Sequence, residues 1–290
     1  RRVLFRSIAI ILLRGTPESK DRSSDGKRFD VIGIIVFVIM MVSVNVVITQ
    51  GSKIGWLSPT ILTLMIIFVL TLFIFYFYEQ RQRHPFIDFS LFSNKVYIGT
   101  TIANLLVNTV IGSLALFNIF AQAGLGLTGA QAGLITIPYM LGSLLMIRIG
   151  ERFMQKKGPQ IPLMAGPISI SVGILLLALN FLPHILYYII ALIGFSFIGL
   201  GLGFFATPAL STAVSNAPES KVGMASGIIK MTSTLGAAFG IAVVTTVYST
   251  LEINHTPHMA ATIALIVGAC MVISAFIVAF LVIPKQHVKA

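Results

Sequence analysis

Charged side chains are scarce in this sequence. They make up 10% of its 290 residues, against about 25% in a water-soluble domain, and that shortage excludes an ordinary soluble globule. Acidic residues are the scarcest, nine Asp and Glu against 20 Lys and Arg. A single Cys excludes a disulfide scaffold. No P-loop, HExxH or GxSxG string occurs, so an ATP-driven mechanism has no nucleotide site here and no catalytic constellation stands near an apolar run. The chain reads as a non-enzyme with no cofactor and no metal. What is abundant is apolar surface: 56% of residues are hydrophobic and the mean hydropathy is +0.95. Such a composition cannot belong to a disordered chain. It specifies an all-α, polytopic membrane protein.

Apolar runs able to cross a bilayer, which takes about 20 residues, fall at 31–49, 59–78, 97–120, 131–148, 161–180, 186–206, 223–248 and 260–283. Each must be helical, because lipid leaves no water to satisfy an open backbone. Gly51-Ser52, Pro59, Gly158-Pro159, Pro183, Pro208, Pro218 and Pro257 punctuate the runs. Cys270 lies inside the last run and reads as a packed thiol.

The chain has no initiator Met. Arg1–Ser7 (RRVLFRS) are set aside as a sequencing artefact, and residues 1–13 read as the end of a truncated helix. The expected order is then a 14–30 cytoplasmic loop, two peripheral spans over 31–78, a 79–96 cytoplasmic connector, a six-span bundle over 97–283 and a 284–290 tail.

The net charge of +11 would point to nucleic acid in a soluble protein. Here the basic residues sit between apolar runs, and they alternate. Arg14, Lys20, Arg22, Lys27 and Arg28 fill the first loop, and Lys53 stands alone in the second. Arg81, Arg83 and Lys95 occupy the third, and 121–130 has none. Arg148, Arg152, Lys156 and Lys157 follow, then an empty 181–185, then Lys221, an empty 249–259, and Lys285 and Lys289 in the tail. Lysine and arginine are retained on the cytoplasmic side. The alternation predicts a multi-pass protein with a cytoplasmic C-terminus and no nucleic-acid partner.

The spans are of two kinds. The 59–78 run is bulky and apolar on all sides and suits a lipid-facing helix. The 97–120 run, extended to residue 122, carries amides. At 100° per residue, Thr100, Thr101, Asn104, Asn108, Asn118 and Gln122 share an arc of about 100°. Such a stripe either lines a wet cavity or bonds neighbouring helices together. On the 223–248 run, Ser226, Lys230, Ser233, Ala237 and Gly240 share a face, and Gly236-x-x-x-Gly240 is a close-packing motif. Lys230 is the one formal charge well inside a span. It either snorkels to the interface or contacts a substrate in a cavity. Gly199-Leu-Gly201-Leu-Gly203 imitates part of a dinucleotide loop but lies within a span, and reads as helix packing. His255 and His258 lack the cysteines or carboxylates of a metal site. All nine carboxylates fall in loops or at span edges, so no proton-coupling acid is expected in this chain.

Several strings resemble a known family. Gly51-Ser-Lys-Ile-Gly-Trp-Leu-Ser-Pro59 between two extra spans, and His84-Pro-Phe-Ile-Asp-Phe-Ser-Leu-Phe92 after them, resemble the fourteen-helix drug:proton antiporter branch of the major facilitator superfamily. Gly150-Glu151-Arg152 with Lys156-Lys157-Gly158 resembles that branch's basic gating loop, although its spacing departs from the family's tighter acid-Arg-x-Gly-basic pattern. Gly223-Met-Ala-Ser-Gly227 followed by Leu235-Gly-Ala-Ala-Phe-Gly240 resembles the eleventh helix of the twelve-helix core. The resemblance implies two linker helices followed by the C-terminal six-helix half of a multidrug exporter of the bacterial cytoplasmic membrane. Its partners would be the bilayer, hydrophobic or cationic drugs, protons, and an N-terminal half that carries the coupling acids. On this sequence the implied cavity wall comprises Asn104, Asn108, Asn118, Gln122, Tyr139 and Lys230, with Phe117 and Phe195 as apolar surface. Glu151, Arg152, Lys156 and Lys157 would form the gating loop. An importer of another solute and a non-transporting membrane scaffold are the alternatives.

Overall fold

The computed structural model describes residues 30–82 and 87–282. Residues 1–13, most of the 14–30 loop, His84-Pro85-Phe86 of the connector, and the tail from 283 lie outside the described residues. Among those described, eight helical stretches are long and apolar enough to cross a membrane, as the hydropathy predicts.

Two helices come first, α1 (Val31–Ile54) and α2 (Pro59–Glu79). Asp30 caps α1 by accepting the Gly33 N–H, and Ser58 caps α2 with Pro59 at its first turn. The Gly51-Ser52 pair does not break α1, contrary to the expectation. The helix continues to Ile54 and ends where Gly55 takes φ +98°, a conformation that favours glycine. Gly51 is instead a packing site, because the Trp56 ring folds onto it and leaves no room for a Cβ. α2 packs on α1, and α1 packs on the bundle helix that runs from Val222 to Glu252. Ile66, Leu70 and Phe73 of α2 are exposed, as they must be on a helix that meets acyl chains.

The next span is interrupted. It comprises α3 (Lys95–Asn108) and α4 (Val110–Ala123), separated at Thr109. The remaining helices are α5 (Gly129–Lys157), α6 (Gln160–Leu177), α7 (His184–Ser215), α8 (Val222–Glu252) and α9 (Pro257–Val282). Pro208 lies inside α7 and does not end it. α5 also runs well past the apolar stretch, so Glu151, Arg152, Lys156 and Lys157 stand on its last turns and form no loop. The helix stops at Gly158, φ +83°. Cys270 is exposed on α9. Hydropathy misplaced it because lipid-facing and core-facing positions are equally apolar in a membrane helix.

The six spans from Lys95 to Val282 form two triplets, α3/α4–α5–α6 and α7–α8–α9, and the triplets interleave. The second helix of the first triplet, α5, packs on the first of the second, α7. Reciprocally, α8 packs on α3 and α4. α6 lies against α7, and α9 against α3 and α4 in the matching way, and the two third helices meet each other. Since α3/α4 and α7 cross in opposite directions, this is an inverted repeat of the kind that builds transporter halves.

Small residues permit these crossings. Gly199 and Gly203 of α7 lie against the backbone of Tyr139 and Ser143 on α5, while Gly201, between them, lies against Gly166 on α6. The glycine run therefore serves both flanks of one helix, in agreement with its reading as packing.

Candidate functional site

The site forms where α3, α7 and α8 diverge. Asn104 is buried, and its amide nitrogen donates to the Ile229 carbonyl at 2.9 Å, the Ser233 hydroxyl at 2.8 Å and the Thr232 hydroxyl at 3.1 Å. An amide buried without partners costs roughly 1–3 kcal/mol, and here all three acceptors come from α8. Asn104 thus ties α3 to α8. One turn along, the Asn108 nitrogen donates to the Asn104 carbonyl and to its Oδ1, at 2.8 and 3.2 Å. That leaves the Asn108 Oδ1 without a hydrogen bond among the described residues.

Beside this pair is a cavity of about 300 Å³. Asn104 and Asn108 line it from α3, Phe205, Thr207 and Leu210 from α7, and Lys230 and Ser233 from α8. Lys230 lies eight residues into α8, about 12 Å along the axis at about 1.5 Å per residue. A lysine at mid-membrane costs roughly 2.5–3.5 kcal/mol to insert. No ion pair or hydrogen bond engages it among the described residues.

The other residues singled out from the sequence lie elsewhere. Phe117 and Phe195 are buried and pack edge to face with ring centroids 4.7 Å apart, inside the bundle core. They present no surface to this cavity. Thr100 and Thr101 are buried at the base of α3. Asn118 and Gln122 lie on α4, beyond the turn at Thr109, and do not line this cavity. Both amides bond within their own helix, Asn118 to the Leu114 carbonyl and Gln122 to that of Asn118. Tyr139 is half-buried on α5, packed by its backbone against Gly199. Glu151, Arg152, Lys156 and Lys157 are exposed, and the Lys157 ammonium sits 5.1 Å over the Phe153 ring.

Four features had no signal in the sequence. The α7 wall of the cavity is mostly apolar and carries no pattern to mark it. Asp88 forms a salt bridge with Lys221, which also donates to Ser90 Oγ at 2.8 Å. The Lys221 ammonium, helped by the Ser90 N–H, holds the Asp88 carboxyl below the usual carboxylate range. This pair clamps the connector to the start of α8, reinforced by the Asn94 amide donating to the Asn216 carbonyl at 2.9 Å. Glu79, expected merely at a span edge, is buried and accepts the Ile87 N–H at 2.6 Å. At the far end of the bundle, buried Asn180 contacts His258 Nδ1 through its carbonyl at 2.9 Å and accepts from Thr262 through Oδ1 at 3.3 Å.

Comparison with known proteins supplies the wider context. The sequence profile of the Major Facilitator Superfamily matches residues 28–241. The chain is 43% identical, over 285 residues, to the quinolone resistance protein NorB of Staphylococcus aureus strain COL, and equally so to those of strains MW2 and MRSA252. The match covers 98% of this chain and 62% of each relative, so the chain spans less than two thirds of their length.

Proposed function

Because this chain belongs to the major facilitator superfamily, whose members are transporters and not enzymes, we propose that it forms part of a multidrug efflux carrier of the fourteen-helix branch. In this reading it exports hydrophobic or cationic drugs, quinolones among them, from the bacterial cytoplasmic membrane in exchange for protons. The observation that carries the proposal is the 43% identity to quinolone resistance proteins across 98% of the chain. The inverted triplet repeat and the cavity at α3, α7 and α8 support it by supplying one wall of an alternating-access path.

The remaining length of the relatives supplies the opposing wall and the proton-coupling acids. No carboxylate lines the cavity among the described residues, so proton exchange needs a contribution from beyond this chain. The distribution of basic residues supports an orientation with the connector, the α5 terminus and the C-terminus in the cytoplasm. Glu151, Arg152, Lys156 and Lys157 then act as a charged helix end at the cytoplasmic mouth. Asn108 and Lys230 contact substrate, and Tyr139, Asn118 and Gln122 come into play in other conformations of the carrier.

Expression in a drug-sensitive bacterium tests this reading. The chain joined to the upstream segment of a relative raises quinolone resistance several-fold, and a protonophore restores drug accumulation. The chain alone confers none. Unchanged susceptibility with a well-inserted chimera would overturn the proposal.

A further inference from the structure

A second cavity, of about 380 Å³, lies where the linker pair meets the bundle. Phe37 of α1, Ile87 of the connector, and Gly223, Gly227, Ile228 and Met231 of α8 line it. Its two glycines stand in the open, since a Cβ on either would meet nothing. The depth of the groove follows from helix length. α8 has 31 residues, about 46 Å at about 1.5 Å per residue, against about 30 Å of hydrocarbon. Shared between the two ends, the excess puts the hydrocarbon boundary about 8 Å from Val222, near Gly227. Gly223 is then at headgroup level and Met231 among the acyl chains. Lys230, next to Met231, stands on the ridge between this groove and the cavity at α3, α7 and α8, which it also lines. It is exposed, with no ion pair among the described residues. A helical side chain leans over the turn that precedes it. The Lys230 stem therefore has a path over Gly227, where the bare backbone leaves the ammonium room to rise to the boundary.

We propose that this groove binds an anionic phospholipid of the adjoining leaflet, with the phosphate on Lys230 and one acyl chain along Phe37, Ile228 and Met231. Charge complementarity selects that occupant. The groove offers an apolar lane at acyl depth and one cation within reach of the headgroups. No acid among the described residues neutralises that cation, and Asp88 of the connector is committed to Lys221. A lysine near the membrane surface favours a headgroup of net negative charge, whereas a zwitterionic headgroup brings its own cation. The thioether of Met231 adapts to a flexible chain, and the glycines leave width for the glycerol. An apolar helix seated in the same groove would press against the ammonium and exclude its water, which is costly. The lipid supplies Lys230 with a counter-charge while no substrate is bound, and its binding does not depend on the drug-site reading.

Fluorescence quenching by lipids with brominated acyl chains tests the proposal in the chain reconstituted into phosphatidylcholine vesicles. Trp56 is the only tryptophan. Trp56→Phe with Phe37→Trp therefore reports from the groove, and Trp56→Phe with Leu70→Trp reports from the exposed side of α2. The groove reporter favours brominated phosphatidylglycerol over brominated phosphatidylcholine about fivefold, the effect of one lysine near the membrane surface. The α2 reporter favours neither. Lys230→Gln removes the preference and Lys230→Arg keeps it. Gly227→Leu fills the groove and lowers quenching by both lipids several-fold at the groove reporter, while unchanged quenching at the α2 reporter shows that the variant is inserted. Equal quenching by the two lipids at the groove reporter would overturn the proposal, as would a preference that survives Lys230→Gln or quenching that Gly227→Leu leaves unchanged. The same readings are taken on the chain joined to the upstream segment of a relative, with any further tryptophans replaced. Loss of quenching there would overturn the proposal, because the groove would then be covered by the rest of the carrier. No drug enters these measurements, so the drug-site reading stands or falls separately.

Discussion

The carbonyl of Thr109 occupies the space that a Cβ on Gly240 would need. The turn in the third span therefore lies at a close crossing of α8. Thr109 satisfies its own hydroxyl on the Leu106 carbonyl at 2.6 Å, and the Gly112 N–H returns to the Thr109 carbonyl at 2.9 Å. Gly240→Ala must push α8 away from that turn. Overpacking of this kind costs roughly 1–3 kcal/mol, and thermal unfolding of the detergent-purified chain will show a lowered Tm. Gly227→Ala is the control. A Cβ there meets open space, so the change leaves the chain as stable or gains up to about 1 kcal/mol from helix propensity.

Asn104 should matter for assembly before it matters for substrate. Asn104→Leu removes the donor to Ile229, Ser233 and Thr232. A loss of roughly 1–2 kcal/mol is expected, above the average for interhelical bonds in membranes because several partners share one amide. Unfolding measured in the same detergent checks it. Unchanged stability would show that the Ile229 carbonyl and its neighbouring hydroxyls satisfy one another without it.

Asn108 differs from Phe117 in exposure, and labelling can read the difference. In a Cys270→Ser background, Asn108→Cys reacts with a membrane-impermeant maleimide many times faster than Phe117→Cys, which sits in a dry core at 1% exposure. Equal, slow reaction at both positions would mean the cavity is not wet, and would favour a scaffold over a carrier.

The Asp88–Lys221 clamp has a defined pH response. The Asp88 carboxyl is depressed in the folded chain, so its contribution is fully present above the ordinary carboxylate range and is lost only as pH falls through the lowered value. Hydrogen exchange of the connector amides at 87–94 should be insensitive to this group from pH 5 to 8. Asp88→Asn should speed that exchange by a few-fold at neutral pH. The size is modest because the pair is about a quarter exposed, 25% and 27%, and is screened by water.

The sequence made the spans legible because lipid demands long uninterrupted apolar helices, and it made the packing glycines legible because only small residues allow backbones to touch. Asn104, Ser233 and Lys230 were placed on facing sides of their helices by angle alone, and the structure brings them to one junction. A helical wheel does not show the turn at Thr109, and beyond it Asn118 and Gln122 do not line this cavity. α5 was cut short because its charged final turns read as a loop, although nothing stops a helix from leaving the bilayer and continuing. The α7 wall was invisible for another reason: apolar residues that line a cavity look the same as those that face lipid.

The reciprocal interleaving of the two triplets also constrains how the protein is made. While α5 and α6 are already threaded into the bilayer, the surfaces that will receive α7 have nothing to rest on until ribosomal synthesis has delivered a further helix. The first three spans must therefore wait, with glycine-lined grooves open to lipid or held by an insertase. A ribosome stalled in the turn before His184 would release a product that quality-control proteases can recognise.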